Sequence, residues 1–325
     1  MDKFLCGVDL GGTKLSVGLV RETGEILDQE TVYDHVKKKP DQILDQIVGL
    51  IHQLLTRQKL TEANLQGVGV GTAGHLRYRD GVIITMSNLE GFRGFPLRDR
   101  LQARLSVPVE VDNDANAQAF AEYRFGAGRG TQDMIFMTLS TQIGAGIVLG
   151  GKLLRGMTGT AGEIGHTIVD PHSDLVCPCG NRGCLIAVAS GVSLPLVVRR
   201  KLEQGFTSTR ISLATVGQTT VDGNFIREGL LVQDALALAV VADYSASIGI
   251  GVYNLFQIFN PEVVVLGGGL TQWGKPYFDG IERRFKELAR DMLFDPMPIV
   301  AGTIANSGLV GAASLVGEAS QVGLG

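Results

Sequence analysis

The chain has 325 residues, 45% of them hydrophobic, and 44 are glycine, about twice the usual share. That length supports a well-buried core and predicts two lobes rather than one. The net charge of −4, with basic residues scattered, excludes the basic footprint that nucleic-acid binding requires.

The glycines follow no collagen-like period, so they belong to turns and close backbone approaches. The sequence opens on a strand-like run with no charged leader or cleavage site. Its most apolar stretch, residues 230–259, is interrupted by Asp234, Asp243, Asn254 and Gln257. It therefore reads as a buried helix pair rather than a membrane span. Together with unpaired thiols these features predict a soluble cytoplasmic protein with no membrane or nucleic-acid partner.

In chain order, residues 4–20 read as two strands joined by the turn Gly11-Gly12-Thr13-Lys14. Glycines there let backbone N–H groups approach an anion, and Thr13 and Lys14 add a hydroxyl and a charge. A plain hairpin without a ligand is the bland alternative. A third strand is expected over 26–32, after the Thr23-Gly24 turn. Residues 41–58 carry apolar side chains at helical spacing, with His52 on the surface. A buried strand over 65–70 runs into a glycine turn, a short strand follows over 81–86, and Asn88 is placed to cap a turn. After Pro108 a strand leads into an alanine-rich helix from Ala115, so Asp112-Asn113-Asp114 falls at a strand-to-helix junction. Such residues suit an N-cap and suit catalysis, and residue identity alone leaves both open.

Residues 134–151 repeat the opening pattern of strand, polar and glycine turn, strand. Residues 159–191 then place Glu163, His166, Cys177, Cys179 and Cys184 close together in sequence. Cys177 and Cys179 are two apart, so in an extended segment they point the same way. Gly180 and Gly183 let the chain turn and return Cys184 to them. One imidazole and three thiols make a complete tetrahedral set for structural zinc. A disulfide would leave one of the three thiols unpaired; plain buried cysteines are the other alternative, as expected for Cys6. A closed site has no open position for chemistry, so its work is to pin the loop that presents Glu163. Further on, a basic amphipathic helix is expected over 194–206 and a polar surface excursion over 207–225. A long core helix over 234–259 ends at Asn260-Pro261. The strand over 262–269 ends in a glycine turn, where open α/β sheets bind ligands. A small-residue helix spans 308–315.

The Gly-Glu-x-Gly-His block followed by Cys-x-Cys-Gly-x-x-Gly-Cys resembles a signature of the ROK family of sugar kinases and sugar-responsive repressors. Asn113-Asp114-Ala115-Asn116 resembles that family's catalytic motif, and the opening hairpin resembles the first phosphate loop of actin-like ATPases and sugar kinases. The resemblance covers roughly residues 4–316. It implies an α/β, two-lobe actin-like (ribonuclease H-like) ATPase fold with nucleotide and sugar in an inter-lobe cleft. The N-terminal lobe would be 1–114, with the helix of 308–325 packed back on it, and the larger lobe 115–307 would carry the zinc loop. The implied reaction is ATP-dependent phosphorylation of a hexose, glucose at its 6-hydroxyl in the first reading. An N-acetylhexosamine kinase and a catalytically weak sugar-binding regulator are the alternatives.

By the same resemblance Asp114 is the base and Asn113 orients the sugar. Asn88, Glu163 and His166 contact sugar hydroxyls, His166 also binding zinc. Asp9 lies near Mg²⁺ through water. Gly11, Gly12, Thr13, Lys14, Thr141 and Gly144 hold phosphates, and Gly267, Gly268 and Gly269 contact adenosine. A homodimer or homotetramer is implied too. Family repressors carry a DNA-binding helical domain before this region, for which residues 1–3 leave no room, and this argues against DNA binding. Two departures stand out. Ser140 and Gln142 replace the leading glycines of the second turn, and Gln142 is expected to forfeit glycine's freedom at φ > 0. Ile186 replaces a sugar-contacting glutamate, which removes one polar contact and offers an apolar wall that suits an acetyl methyl.

Overall fold

The computed structural model describes residues 3–86, 89–292 and 295–322. In chain order its strands and helices are β1 (Phe4–Leu10), β2 (Leu15–Arg21), β3 (Ile26–Val32), α1 (Pro40–Arg57), β4 (Leu65–Thr72), β5 (His75–Arg77), β6 (Val82–Thr85) and β7 (Phe95–Pro96). They continue with α2 (Leu97–Gln102), β8 (Val109–Asn113), α3 (Asp114–Phe125), β9 (Met134–Leu139), β10 (Ile143–Leu149), β11 (Lys152–Leu153), α4 (Leu185–Ala189) and α5 (Leu194–Glu203). The last are α6 (Gly223–Leu231), α7 (Ala235–Phe259), β12 (Val263–Gly267), α8 (Lys275–Ala289), β13 (Ile299–Ala301) and α9 (Ser307–Val322). Two compact units divide the chain. One holds Met1–Phe136, Gly146–Gly162 and Gly302–Gly325, the other Met137–Ala145 and Glu163–Ala301.

The first unit is built on a sheet of order β3-β2-β1-β4-β8, in which β4 runs parallel to β1 and to β8. Side chains alternate across a strand, and here the alternation sorts the packing. Cys6, Val8 and Leu10 of β1 and Val68 and Val70 of β4 face the core that includes Ile43, Ile47, Ile51 and Leu54 of α1. The intervening Gly7, Gly67, Gly69 and Gly71 face α9 or α3. A Cβ on Gly69 would lie 1.7 Å from the Ala312 carbonyl oxygen, and one on Gly7 2.2 Å from that of Leu309. On α9 itself, a Cβ on Gly311 would meet the Ala117 oxygen of α3 at 1.8 Å. The Gly-Val-Gly-Val-Gly run of β4 is thus valine toward one layer and bare backbone toward the other.

This close seating gives a paired expectation. Gly69→Ala must displace α9 and is expected to cost about 3 kcal/mol or more. Gly49→Ala, inside α1 with nothing within 4 Å of the added Cβ, should instead gain about 0.5–1 kcal/mol. Urea denaturation of both variants measures the difference; equal stabilities would contradict the packing argument.

A second sheet has the order β11-β10-β9-β12-β13, with β13 parallel to β12. In the second unit α7 starts on an Asp234 N-cap and ends at Asn260 in the left-handed region, just before Pro261. The expected helix pair over 230–259 is one long helix preceded by the end of α6. The break comes at Gln233, with φ of 55°, where the chain reverses and Asp234 caps anew. By length and composition α7 could cross a membrane, and more than half of its most apolar stretch is buried inside the protein. The first residues of α6, capped by Asp222, fall within the expected surface excursion. Among the elements not anticipated is α8, although Tyr277, Ile281, Phe285 and Ala289 recur every four residues and are all buried.

Candidate active site and metal centre

In the first unit the opening hairpin closes with the Gly11 N–H donating to the Lys14 carbonyl at 3.0 Å. Thr13 and Lys14 are exposed and Gly11 and Gly12 half-buried. The ammonium of Lys14 lies 3.1 Å from Asp9, whose side chain is 16% exposed. Asp9 belongs to the face of β1 that meets α9, and a Cβ on Gly308 would sit 2.9 Å from its carboxylate oxygen. Glycine at the start of α9 therefore makes room for the carboxylate, at the helix end where backbone dipoles favour negative charge.

At the junction of β8 and α3 the alternatives of capping and chemistry are divided between neighbours. Asn113 is the N-cap, its side-chain oxygen accepting from the Ala115 N–H at 2.8 Å, and its amide donates to the Gly74 carbonyl at 3.2 Å. Asp114 is the first helical residue, half-buried, with one oxygen 2.9 Å from the Ala115 N–H. Asp112 is the structural member of the three, 2% exposed. It accepts from the Asn113 N–H at 2.7 Å, the Asn116 amide at 2.9 Å and the Arg155 guanidinium at 2.7 Å. Burial pushes the Asp112 carboxyl up, and Arg155 and those N–H donors oppose it. Arg155 also lies 3.8 Å over the Tyr78 ring. Its pairing had no sequence signal, because it stands 43 residues from Asp112.

In the second unit the turn between β9 and β10 is held by backbone. The Ser140 N–H donates to the Gln142 carbonyl at 3.0 Å, Gly191 donates to Ser140 at 2.8 Å, and Val192 to Thr141 at 3.0 Å. Gly268, with φ of 90°, lies against the end of β9, where a Cβ would be 2.4 Å from the Leu139 oxygen. Thr141 and the Gly267-Gly268-Gly269 turn are thus brought to the same end of the second sheet, and Gly144 is the second residue of β10 beside them. Gln142 is exposed and is not among the described non-glycine residues with positive φ, which are Lys59, Gln233, Asn260 and Arg290. The expected loss of glycine's freedom at 142 is therefore not incurred in this conformation.

Glu163 precedes a short 3₁₀ turn, Ile164–His166, and both Glu163 and His166 are half-buried. Ile186, 3% exposed, packs against this turn. A Cβ on Gly165 would meet its side chain at 2.6 Å. The isoleucine is a buried support for the turn.

The ligand atoms of His166, Cys177, Cys179 and Cys184 all lie within 4.8 Å of one another. Cys179 and Cys184 sulfurs are 3.7 Å apart, and Cys177 sulfur is 3.3 Å from His166 Nδ1. Tetrahedral zinc sets edges of about 3.8 Å between sulfurs and about 3.6 Å between sulfur and nitrogen, so the donor set fits. Gly183, with φ of 67°, makes the return possible, since a Cβ there would lie 1.8 Å from the Asp170 oxygen. The Asn181 N–H beside Cys179 lowers that thiol to about 6, while burial pushes Cys177 up and Cys184 to about 12. A metal taken up here displaces protons. Asn88 lies outside the described residues.

With this geometry in place, residues 5–319 match the ROK family. The chain belongs to the ROK family. This ROK protein is 32% identical to a glucokinase of Halalkalibacterium halodurans over 97% of its own length and 95% of the relative's. It is 38% identical to an N-acetylmannosamine kinase of Shigella flexneri over 61% of its own length and 65% of the relative's. Among solved structures it resembles a ROK hexokinase from Thermus thermophilus, with a TM-score of 0.82 and 30% identity over 98% of this chain and 99% of that one. It also resembles a ROK family glucokinase from Streptomyces griseus in complex with glucose and AMPPNP, with a TM-score of 0.78 and 33% identity over 96% and 98% of the two chains. The α/β fold, with its hairpin-led sheets, is that of the actin-like sugar kinases.

Proposed function

We propose that this ROK protein is a glucokinase-type enzyme that transfers the γ-phosphoryl group of ATP to the 6-hydroxyl of glucose. It is a sugar kinase, aligned with glucokinases over nearly the whole of both chains. The observation that carries the residue-level reading is the division of labour at the β8–α3 junction. Asn113 caps the helix and Arg155 ties Asp112, while Asp114 occupies the first helical position.

In this reading the Asp114 carboxylate takes the proton from the sugar hydroxyl as its oxygen attacks the γ-phosphorus. The bond to the bridging oxygen breaks and ADP leaves. Asn113 orients the sugar, and Asn88, Glu163 and His166 hold its hydroxyls. Gly11, Gly12, Thr13 and Lys14, with Thr141 and Gly144, hold the phosphates, and Gly267, Gly268 and Gly269 meet the adenosine. The Mg²⁺ that accompanies ATP would lie near Asp9 through water, as Mg²⁺ keeps much of its hydration. His166, Cys177, Cys179 and Cys184 would hold a structural zinc that serves only to fix the loop. A homodimer or homotetramer is the assembly the family resemblance implies.

The similarity to an N-acetylmannosamine kinase supports a second reading in which the acceptor is an N-acetylhexosamine. Coupled ADP-release assays with Mg-ATP and a panel of glucose, mannose, N-acetylglucosamine and N-acetylmannosamine separate the two. Turnover is expected to be fastest on glucose. Faster turnover on an N-acetylated sugar would replace glucose as the acceptor, and no turnover on any hexose would sink the kinase reading.

A further inference from the structure

His35 is one of five histidines and takes no part in the site described above. It opens a short 3₁₀ turn, His35–Lys37, after β3, and is fully buried. The segment is tied down by Asp34, which accepts from Lys38 at 2.7 Å and from Gln46 of α1 at 2.8 Å. His35 Nε2 lies 2.8 Å from the carbonyl oxygen of Gly11, the first residue of the opening glycine turn. A carbonyl only accepts, so Nε2 carries a hydrogen, and in the neutral ring Nδ1 is then a bare lone pair. That Nδ1 is buried with no hydrogen-bond partner.

A buried acceptor without a donor lowers stability, and a phenyl or leucine side chain would fill the same space without that cost. What the imidazole supplies in return is its grip on Gly11. The Gly11–Gly12 peptide is trans, so its C=O and N–H point in opposite directions. Drawing the Gly11 oxygen onto buried Nε2 therefore aims the Gly12 N–H away from the imidazole. The Gly11 N–H is already committed to Lys14, so Gly12 offers the next backbone donor of the turn. We propose that His35 is a positioning residue for nucleotide phosphate, setting the Gly11–Gly12 peptide plane so that the Gly12 N–H is held ready for a phosphate oxygen.

This rests on the kinase reading, and the test keeps the two apart. Mg-AMPPNP and, separately, glucose are titrated calorimetrically into wild type, His35→Phe and His35→Gln. His35→Phe fills the volume and donates nothing, whereas the His35→Gln amide reaches about as far as Nε2. AMPPNP binding is expected to weaken about tenfold in His35→Phe, to recover to within about threefold of wild type in His35→Gln, and glucose binding to stay unchanged. The KM for ATP should move in parallel, with kcat moving less. If His35→Phe does not fold, His35→Asn replaces it, because its amide nitrogen stops near the position of Nδ1. AMPPNP binding equal to wild type in the non-donating variant overturns the proposal, as does equal weakening of glucose and AMPPNP in all variants. A wild type that neither binds AMPPNP nor phosphorylates any hexose overturns the kinase reading and this inference with it.

Discussion

Asp114→Asn lowers kcat by about 10²–10⁴-fold while sugar affinity stays within about threefold of wild type, as expected for removal of a general base. The substitution isolates chemistry from folding for a specific reason. The helix cap is the side chain of Asn113, and an asparagine at 114 keeps an oxygen able to accept from the Ala115 N–H. The helix start keeps both of these hydrogen bonds, so thermal unfolding should shift by no more than about 2 °C. ADP release under saturating Mg-ATP measures the loss, and calorimetry with the sugar alone measures the affinity. Undiminished turnover would remove Asp114 from the reaction and return the Asn-Asp-Ala-Asn stretch to a purely structural role.

Cys184→Ser abolishes zinc retention and destabilises the second unit by about 3 kcal/mol or more, the scale expected when a closed metal site is opened. Cys184 is fully buried and is the residue from which α4 begins, so its loss reaches beyond the loop. The candidate metal ligand His166 ends the turn that starts after Glu163, and the His166 N–H donates to the Glu163 carbonyl at 3.1 Å. Loosening the metal therefore loosens Glu163, and hexose affinity should fall about tenfold or more in the variant. Plasma emission spectroscopy should find about one zinc per wild-type chain, the content that a single four-ligand site demands. Metal-free wild-type protein with unchanged stability and sugar affinity would refute a zinc role.

Short-range pattern carries much of this protein. Turn glycines at 11 and 12 between apolar runs, the polar junction at 112–114 and the spacing of Cys177, Cys179 and Cys184 each express chemistry within a few residues. Backbone stereochemistry and ligand geometry act over that distance, so β1, β2, β3, the start of α3 and the Cys₃His cluster were legible before any coordinates. Periodicity also marks α8, where Tyr277, Ile281, Phe285 and Ala289 recur every four residues.

The tertiary structure decided what depends on partners far along the chain. Nothing local to Gly69 announces that the Ala312 backbone seats against it, and nothing near Asp112 announces Arg155. The same holds for Gly308 beside Asp9 and for buried His35 beneath Gly11. Ile186 and Gln142 looked like defects because sequence gives identity without environment; folded, one is packing under Gly165 and the other sits exposed without backbone strain. Local propensity chooses an element from its own residues. Which faces meet, and which polar atoms find partners, is settled only when distant stretches of the chain pack together.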